Sequence, residues 1–267
     1  MQKAIGIFDS GVGGLTVLKA VMEVLPQENT IYLGDTARVP YGIRSPETVT
    51  RYSFENTQFL LSQEIKMLVV ACNTASAISL EAVKREFPLP VLGVLEPGAR
   101  AAVAATRTGR IGVIGTEATI GSGAYEKAVR SVNAGIEVFT QACPLFVPLV
   151  EEGWTDNDVA ELTARRYLDA LRASSIDTLV LGCTHYPLLK KVISRVMGDS
   201  ITLIDSATET AREVAEVLEK LNWLRPDRGA VIRRYYVTDS PSRFERVGKL
   251  FLQEARLSAE QVRVGGA

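Results

Sequence analysis

Short apolar runs alternate with longer amphipathic stretches along the whole chain. The runs fall at 4–8, 30–34, 67–71 and 91–95, and again at 110–115, 136–140, 178–182 and 201–205. They are mostly apolar throughout rather than alternating, as parallel strands covered on both faces should be. Helical patterns lie between them, at 15–24, 46–64, 75–85, 118–131 and 156–173. Alternation of this kind predicts βαβ units and parallel sheets.

The two sets of strands read as copies. Ile5-Gly6-Ile7-Phe8 matches Ile111-Gly112-Val113-Ile114, and Val69-Val70-Ala71-Cys72 matches Val180-Leu181-Gly182-Cys183. Positions 5 and 111, 72 and 183, and 91 and 201 keep an offset of roughly 110 residues, too long for a solenoid repeat. The expectation is an α/β protein of two pseudo-symmetric parallel-sheet domains facing each other across an active-site cleft. Glu96-Pro97-Gly98 reads as the hinge. The tail offers a helix at 208–221, a strand at 231–237 and a helix at 242–253. Roughly sixty residues are few for an independent domain, so the tail is expected to complete the first sheet. The expected first domain is therefore discontinuous, 1–96 plus 207–267, and the second spans 97–206.

Composition narrows the function classes. The 267 residues are 46% hydrophobic and 23% charged, close to soluble globular averages. Thirty basic residues against 31 acidic ones leave a net charge of −1. No strong field is available to hold a polyanion, so direct nucleic-acid binding is not expected. No apolar run approaches a membrane span. The N-terminus leads straight into the first strand, with no signal peptide in front. Three cysteines are no disulfide framework, and a cytoplasmic protein with reduced thiols is expected.

Ligands of parallel α/β sheets bind outside the carboxyl ends of the strands. The residues there are Asp9-Ser10-Gly11, Asp35-Thr36, Cys72-Asn73-Thr74, Thr116 and Cys183-Thr184-His185. Cys72 and Cys183 each follow an apolar strand and precede an expected helix start. A thiol at a helix N-terminus sits in positive potential, which lowers its pKa. The plainer alternative is a pair of buried core cysteines. Equivalent positions in two facing domains favour the reactive reading, because they put one thiol on each side of the cleft. Two acid/base groups on opposite faces of one carbon can invert a stereocentre. Cys143 has no counterpart, precedes Pro144 and reads as structural. His185, the single histidine, lies two residues after Cys183 and is placed to tune it or relay protons. Cys72, Cys183, His185 and Asp9 could supply four zinc ligands, but no zinc-type spacing supports this and no metal is expected. Ser10-Gly11-Val12-Gly13-Gly14 opens a helix and offers an anion site. Its spacing fits neither a dinucleotide fingerprint nor a Walker A loop. The charge of Asp9 would stabilise a cationic substrate group and oppose thiolate formation at Cys72. Glu151 and Glu152 read from composition as ordinary solvated acids.

Together these segments resemble the glutamate racemases of the aspartate/glutamate racemase superfamily. The resemblance is carried by residues 5–17 (IGIFDSGVGGLTV), 32–42 (YLGDTARVPYG), 69–77 (VVACNTASA), 111–116 (IGVIGT), 147–153 (VPLVEEG) and 181–189 (LGCTHYPLL). It implies cofactor-independent interconversion of L- and D-glutamate, which supplies bacterial peptidoglycan. It implies that Cys72 and Cys183 transfer the proton, with Asp9 assisting the first and Glu151 and His185 the second. Substrate contacts are implied at Asp9, Ser10, Tyr41, Gly42, Asn73, Thr74, Thr184 and His185, and Thr116 is a further candidate. A homodimer is also implied. Some members carry an N-terminal extension tied to activation by a cell-wall precursor. Here the first strand begins almost at once, so that regulation is not expected. The rival readings are an aspartate racemase, a phosphotransferase suggested by the Gly-rich loop, and an amino-acid binding protein without turnover.

Overall fold

The computed structural model describes residues 3–226, 229–253 and 257–265. The outermost residues of the expected first domain, 1–2 and 266–267, lie outside the described residues, as do 227–228 and 254–256 in the tail. The first half runs β1 (Ala4–Asp9), α1 (Leu15–Val24), β2 (Thr30–Gly34), α2 (Pro46–Ser62), β3 (Ile65–Val70), α3 (Asn73–Glu86) and β4 (Val91–Gly93). Helix α4 (Leu95–Ala105) leads into the second half. There β5 (Arg110–Gly115), α5 (Glu117–Gly121), α6 (Ala124–Val132), β6 (Glu137–Ala142) and α7 (Phe146–Glu151) are followed by α8 (Asp158–Ala173), β7 (Thr178–Gly182), α9 (Lys190–Met197) and β8 (Thr202–Ile204). The tail is α10 (Ser206–Lys220), β9 (Arg233–Val237), α11 (Pro241–Leu252) and β10 (Glu260–Gln261).

The halves form two parallel-sheet α/β domains. One sheet has the order β10-β9-β2-β1-β3-β4 and the other β6-β5-β7-β8. Every pairing is parallel. The order β2-β1-β3-β4 is repeated as β6-β5-β7-β8, strand for strand, which is the topological signature of the copies seen in the sequence. In the tail, β9 pairs with β2 and carries β10 on its outer side.

The apolar strands are covered on both faces. Ile5 and Ile7 of β1 face the core that holds Leu15, Leu18 and Val21 of α1. Ala4 and Phe8 face the core beneath α2 and α3, with Val49, Leu60, Ala75 and Leu80. In the second sheet, Ile111 and Val113 pack with Leu95 and Ala99 of α4 and Val129 of α6. Helix α10 packs against both α1 and α4 and so bridges the halves.

Two sequence expectations are corrected. Glu96-Pro97-Gly98 is not a hinge loop but lies inside the first turn of α4. The amide that Pro97 lacks is one that a first turn leaves without an intrahelical partner, so the proline is tolerated there. The stretch 118–131 is not one helix. It breaks into α5 and α6 at Gly123, whose φ of 64° is left-handed and stops the helical path. The short helix α7, the helix α9 and the strand β10 were not foreseen.

Asp177, just ahead of β7, ties the end of α4 to the second sheet. Its buried carboxylate accepts from Thr106 Oγ1 (2.6 Å), Arg107 N (2.7 Å), Thr108 N (2.7 Å) and Thr178 Oγ1 (3.0 Å). Burial raises its pKa, but these donors outweigh burial and hold it below its ordinary value of 3.8. The stabilisation is present above that ordinary value and is lost as pH falls through the lower folded-state value. Asp177→Ala should cost about 2–4 kcal/mol in urea unfolding at neutral pH, since it strands two amides and two hydroxyls. The gap to the wild type should narrow as the pH drops through the carboxylate range.

Candidate active site

Strand order places the chemistry. In each sheet the chain winds one way from β1 or β5 and the other way from β3 or β7. Loops leaving the two central strands diverge there and open a crevice. The first sheet presents Asp9 and Ser10 after β1, and Cys72, Asn73 and Thr74 after β3. The second presents Thr116 after β5, and Cys183, Thr184 and His185 after β7.

On the first side Cys72 is the N-cap of α3, as expected, but burial overrides the helix terminus. Burial foremost, and then the Asp9 charge, push the thiol up to about 12. The expectation of a lowered thiol pKa at this position is therefore corrected. Backbone donation from Ala75 and the Ser10 contact only partly oppose the rise. The S–H donates to Ser10 Oγ at 3.6 Å. Asp9 is fully buried, and Oδ2 accepts from Gly11 N at 2.9 Å. Burial raises its carboxyl above the usual value, against the pull of His185 and of nearby backbone amides.

The second side is built differently. Cys183 is followed by a 3-10 turn, Tyr186–Leu189, before α9 begins. His185 Nδ1 lies 3.8 Å from Cys183 Sγ, and Nε2 lies 3.2 Å from Glu151 Oε1. Burial opposes a charge on His185. Its contacts with Cys183 and Glu151, and the Asp9 charge, outweigh burial and raise it to about 10. As an imidazolium it donates from both nitrogens, to the sulfur on one side and the carboxylate on the other. The His185 hydrogen bond foremost holds the Glu151 carboxyl below its ordinary range, assisted by Arg243. Glu152 is exposed, as its sequence reading has it. Cys143 is buried, with Sγ toward Gln141 O at 3.7 Å.

The two sides touch without room for side chains. A β-carbon on Gly13 would come within 2.3 Å of Thr184 Oγ1 and 2.5 Å of His185 Nδ1. One on Gly42 would come within 2.7 Å of Thr116 Cβ. Thr16 Oγ1 donates to Thr184 O at 3.3 Å. Thr74 and Thr116 hydroxyls meet at 3.0 Å, and Thr119 bonds both, at 3.1 and 2.9 Å. A charge on Cys183 would also raise Cys72, the least of the causes acting on that thiol. Among the described residues, two buried side-chain atoms lack a hydrogen-bond partner: Asp9 Oδ1 and Asn73 Nδ2. One accepts and the other donates. Such a pair complements the ammonium and carboxylate of a zwitterion, and buried polar atoms seldom stay unpaired without a use.

Of the residues singled out in the sequence, one is placed differently from a free substrate donor. The Tyr41 hydroxyl is buried, donates to Asp35 Oδ2 and accepts from Asn56 Nδ2 at 3.1 Å. Its loop reaches the cleft through Gly42 instead. Four neighbours escaped sequence reading: Thr119, Tyr125 (whose OH donates to Asn73 Oδ1 at 2.6 Å), Phe251 (edge-on to His185 with ring centroids 5.5 Å apart) and Arg243. Thr119 lies one turn beyond Thr116, in the helix that Thr116 caps, whereas the other three reach the site from helices that packing alone brings there.

Comparison with known proteins agrees with this arrangement. The profile of the Asp/Glu/Hydantoin racemase family matches residues 15–214. A glutamate racemase of Geobacter metallireducens is 64% identical over 250 residues, covering 94% of this chain and 93% of that protein. The crystal structure of glutamate racemase isoform RacE1 from Bacillus anthracis superposes with a TM-score of 0.94 at 42% identity, over 98% of this chain and 97% of that one. The glutamate racemase of Francisella tularensis, solved with D-glutamate, gives a TM-score of 0.92 at 38% identity over 98% of each chain. Duplicated sheets, paired cysteines and near full-length likeness lead to one conclusion: this chain belongs to the Asp/Glu/Hydantoin racemase family.

Proposed function

We propose that this chain interconverts L- and D-glutamate without a cofactor, with Cys72 and Cys183 as acid and base on opposite faces of the α-carbon. The observation that carries the proposal is the placement of the two thiols. Each follows the same strand of a repeated sheet, one in each domain, and both are buried in the loops that face each other. The Francisella tularensis relative was solved with D-glutamate, which supports this substrate.

The α-hydrogen of an amino acid is a very weak acid. Its removal needs a base held against it and donors that take up the growing carboxylate charge. Asp9 Oδ1 receives the ammonium. Asn73 Nδ2 and the backbone amides after Cys72 and Cys183 receive the α-carboxylate. Ser10, the Gly42 backbone, Thr184 and the threonine hydroxyls of 74 and 116 are available to the side-chain carboxylate. One sulfur, as thiolate, takes the α-proton, and its electron pair forms the new S–H bond. The C–H electrons remain on the carbon and its carboxylate until the opposite thiol delivers its own proton to the other face. The roles reverse with the handedness of the substrate. His185, carrying Glu151 behind it, sets the charge beside Cys183, while Asp9 does so beside Cys72. The same reading carries the supply of D-glutamate for peptidoglycan, the cytoplasmic setting and the homodimer. No helix of the described residues is long and apolar enough to cross a membrane.

Pure L-glutamate should lose its circular-dichroism signal to zero with no added cofactor, and L-aspartate should keep its signal. Cys72→Ser and Cys183→Ser should each lower kcat by about 10³-fold or more, with unchanged unfolding midpoints. Wild-type rates in either variant would refute the two-thiol assignment. Gly13→Ala should cost about 10- to 100-fold in kcat/KM, because it wedges the two faces apart at Thr184 and His185. In the wild type, kcat/KM should fall as pH rises through about 10, where His185 loses its charge, and His185→Asn should lack that limb.

A further inference from the structure

Glu151 is held from both ends. Oε1 meets His185 Nε2 at 3.2 Å, and Oε2 meets the Arg243 guanidinium at 3.1 Å. The two partners come from different domains. Glu151 closes α7, which packs on α8 beside the four-stranded sheet. Arg243 lies in the first turn of α11, which packs on α1 beside the six-stranded sheet. The ion pair therefore spans the cleft and depends on how the domains sit against each other. Cys183, His185, Glu151 and Arg243 form one line in which sulfur, cation, anion and cation alternate.

The start of α11 is itself pinned. Thr36 Oγ1 donates to Asp239 O at 2.6 Å and accepts from Asp239 N at 2.8 Å. Thr238 Oγ1 donates to Asp35 Oδ1 at 3.0 Å. A cavity of about 130 Å³ runs beside the ion pair, bounded by Gly11, Val39, Glu151, Ser240 and Arg243 among others. Arg243 is 61% exposed, and a pair between two exposed groups would be worth little. Glu151 is only 17% exposed, so losing Arg243 leaves a half-buried carboxylate facing a single partner.

We infer that Arg243 is a positioning residue, which holds Glu151 Oε2 from the opposite domain, keeps Oε1 against His185, and so ties the domain arrangement to the charge beside Cys183. The charged and titratable groups that bear on His185 are Cys183 from its own loop, Glu151 from α7 and Asp9 from β1, while α11 offers it only the Phe251 ring. Arg243 touches Glu151 and not His185, so its hold works by keeping Oε1 in place, while the direct repulsion between the two cations runs the other way. The inference takes its kinetic meaning from the racemase reading, but the contact and the titration of His185 stand without it.

His185 is the single histidine, so its ring signals in a ¹H–¹⁵N NMR titration are free of overlap. The wild-type midpoint should lie near 10. Arg243→Ala and Arg243→Gln should each lower it by about 0.5–1 pH unit, and Arg243→Lys should restore at least part of the shift. Molar salt should lower the wild-type midpoint in the same direction. Arg246→Ala, on the exposed face of the same helix, should leave it in place. The Ala and Gln variants should lose about 3- to 10-fold in kcat at near-constant KM, with the alkaline limb moved to lower pH. A His185 midpoint unchanged in both the Ala and Gln variants overturns the inference. A shifted midpoint in a protein that does not racemise glutamate sinks the proposed function and leaves this inference standing.

Discussion

Removal of water from ionisable groups governs this cleft. Asp9, Cys72 and His185 are buried together, and no one of them can change charge without the others responding. A carboxylate, a thiol and an imidazole in open water would titrate near their ordinary values. Packed between two sheets they are displaced, each in a direction set by its neighbours. The glycines at 13 and 42 make this possible, because they let two loops close to van der Waals distance and leave no layer of solvent between them.

The two halves share a strand order but not an electrostatic design. Cys72 is buried beside a carboxylate, and burial and that charge favour the neutral thiol against the weaker pull of the Ser10 hydroxyl. Cys183 stands beside a histidine that is held as a cation by a carboxylate behind it. Duplication supplied the symmetric frame, and divergence of the loops gave each thiol its own partner. In the proposed two-thiol reaction one group must be protonated and the other ionised at a time, and unlike surroundings suit that difference.

The tail belongs to the same scheme. β9 extends the first sheet at β2, and this carries α11 across the front of the site. From there Phe251 meets the edge of His185, and Arg243 reaches Glu151. A segment that carries no motif of its own thus supplies contacts to His185 and to the carboxylate behind it.

The fold class, the parallel sheets and the repeat were legible in the chain, because apolar runs with a near-constant spacing can hardly be satisfied otherwise. The same spacing marked the paired cysteines and the polar loops behind Asp9, Cys72, Thr116 and Cys183. Helix limits were less legible. Pro97 in a first turn and the left-handed Gly123 look alike to a local pattern, yet one sits inside a helix and the other ends one. What the chain could not reveal was any property set by distance between remote segments. The rise of the Cys72 thiol, the commitment of the Tyr41 hydroxyl to Asp35, the threonine cluster at 74, 116 and 119, and the hold of Arg243 on Glu151 all arise from packing. Local order follows from neighbours along the chain, whereas burial and charge coupling follow from neighbours in space, and only the tertiary structure brings those together.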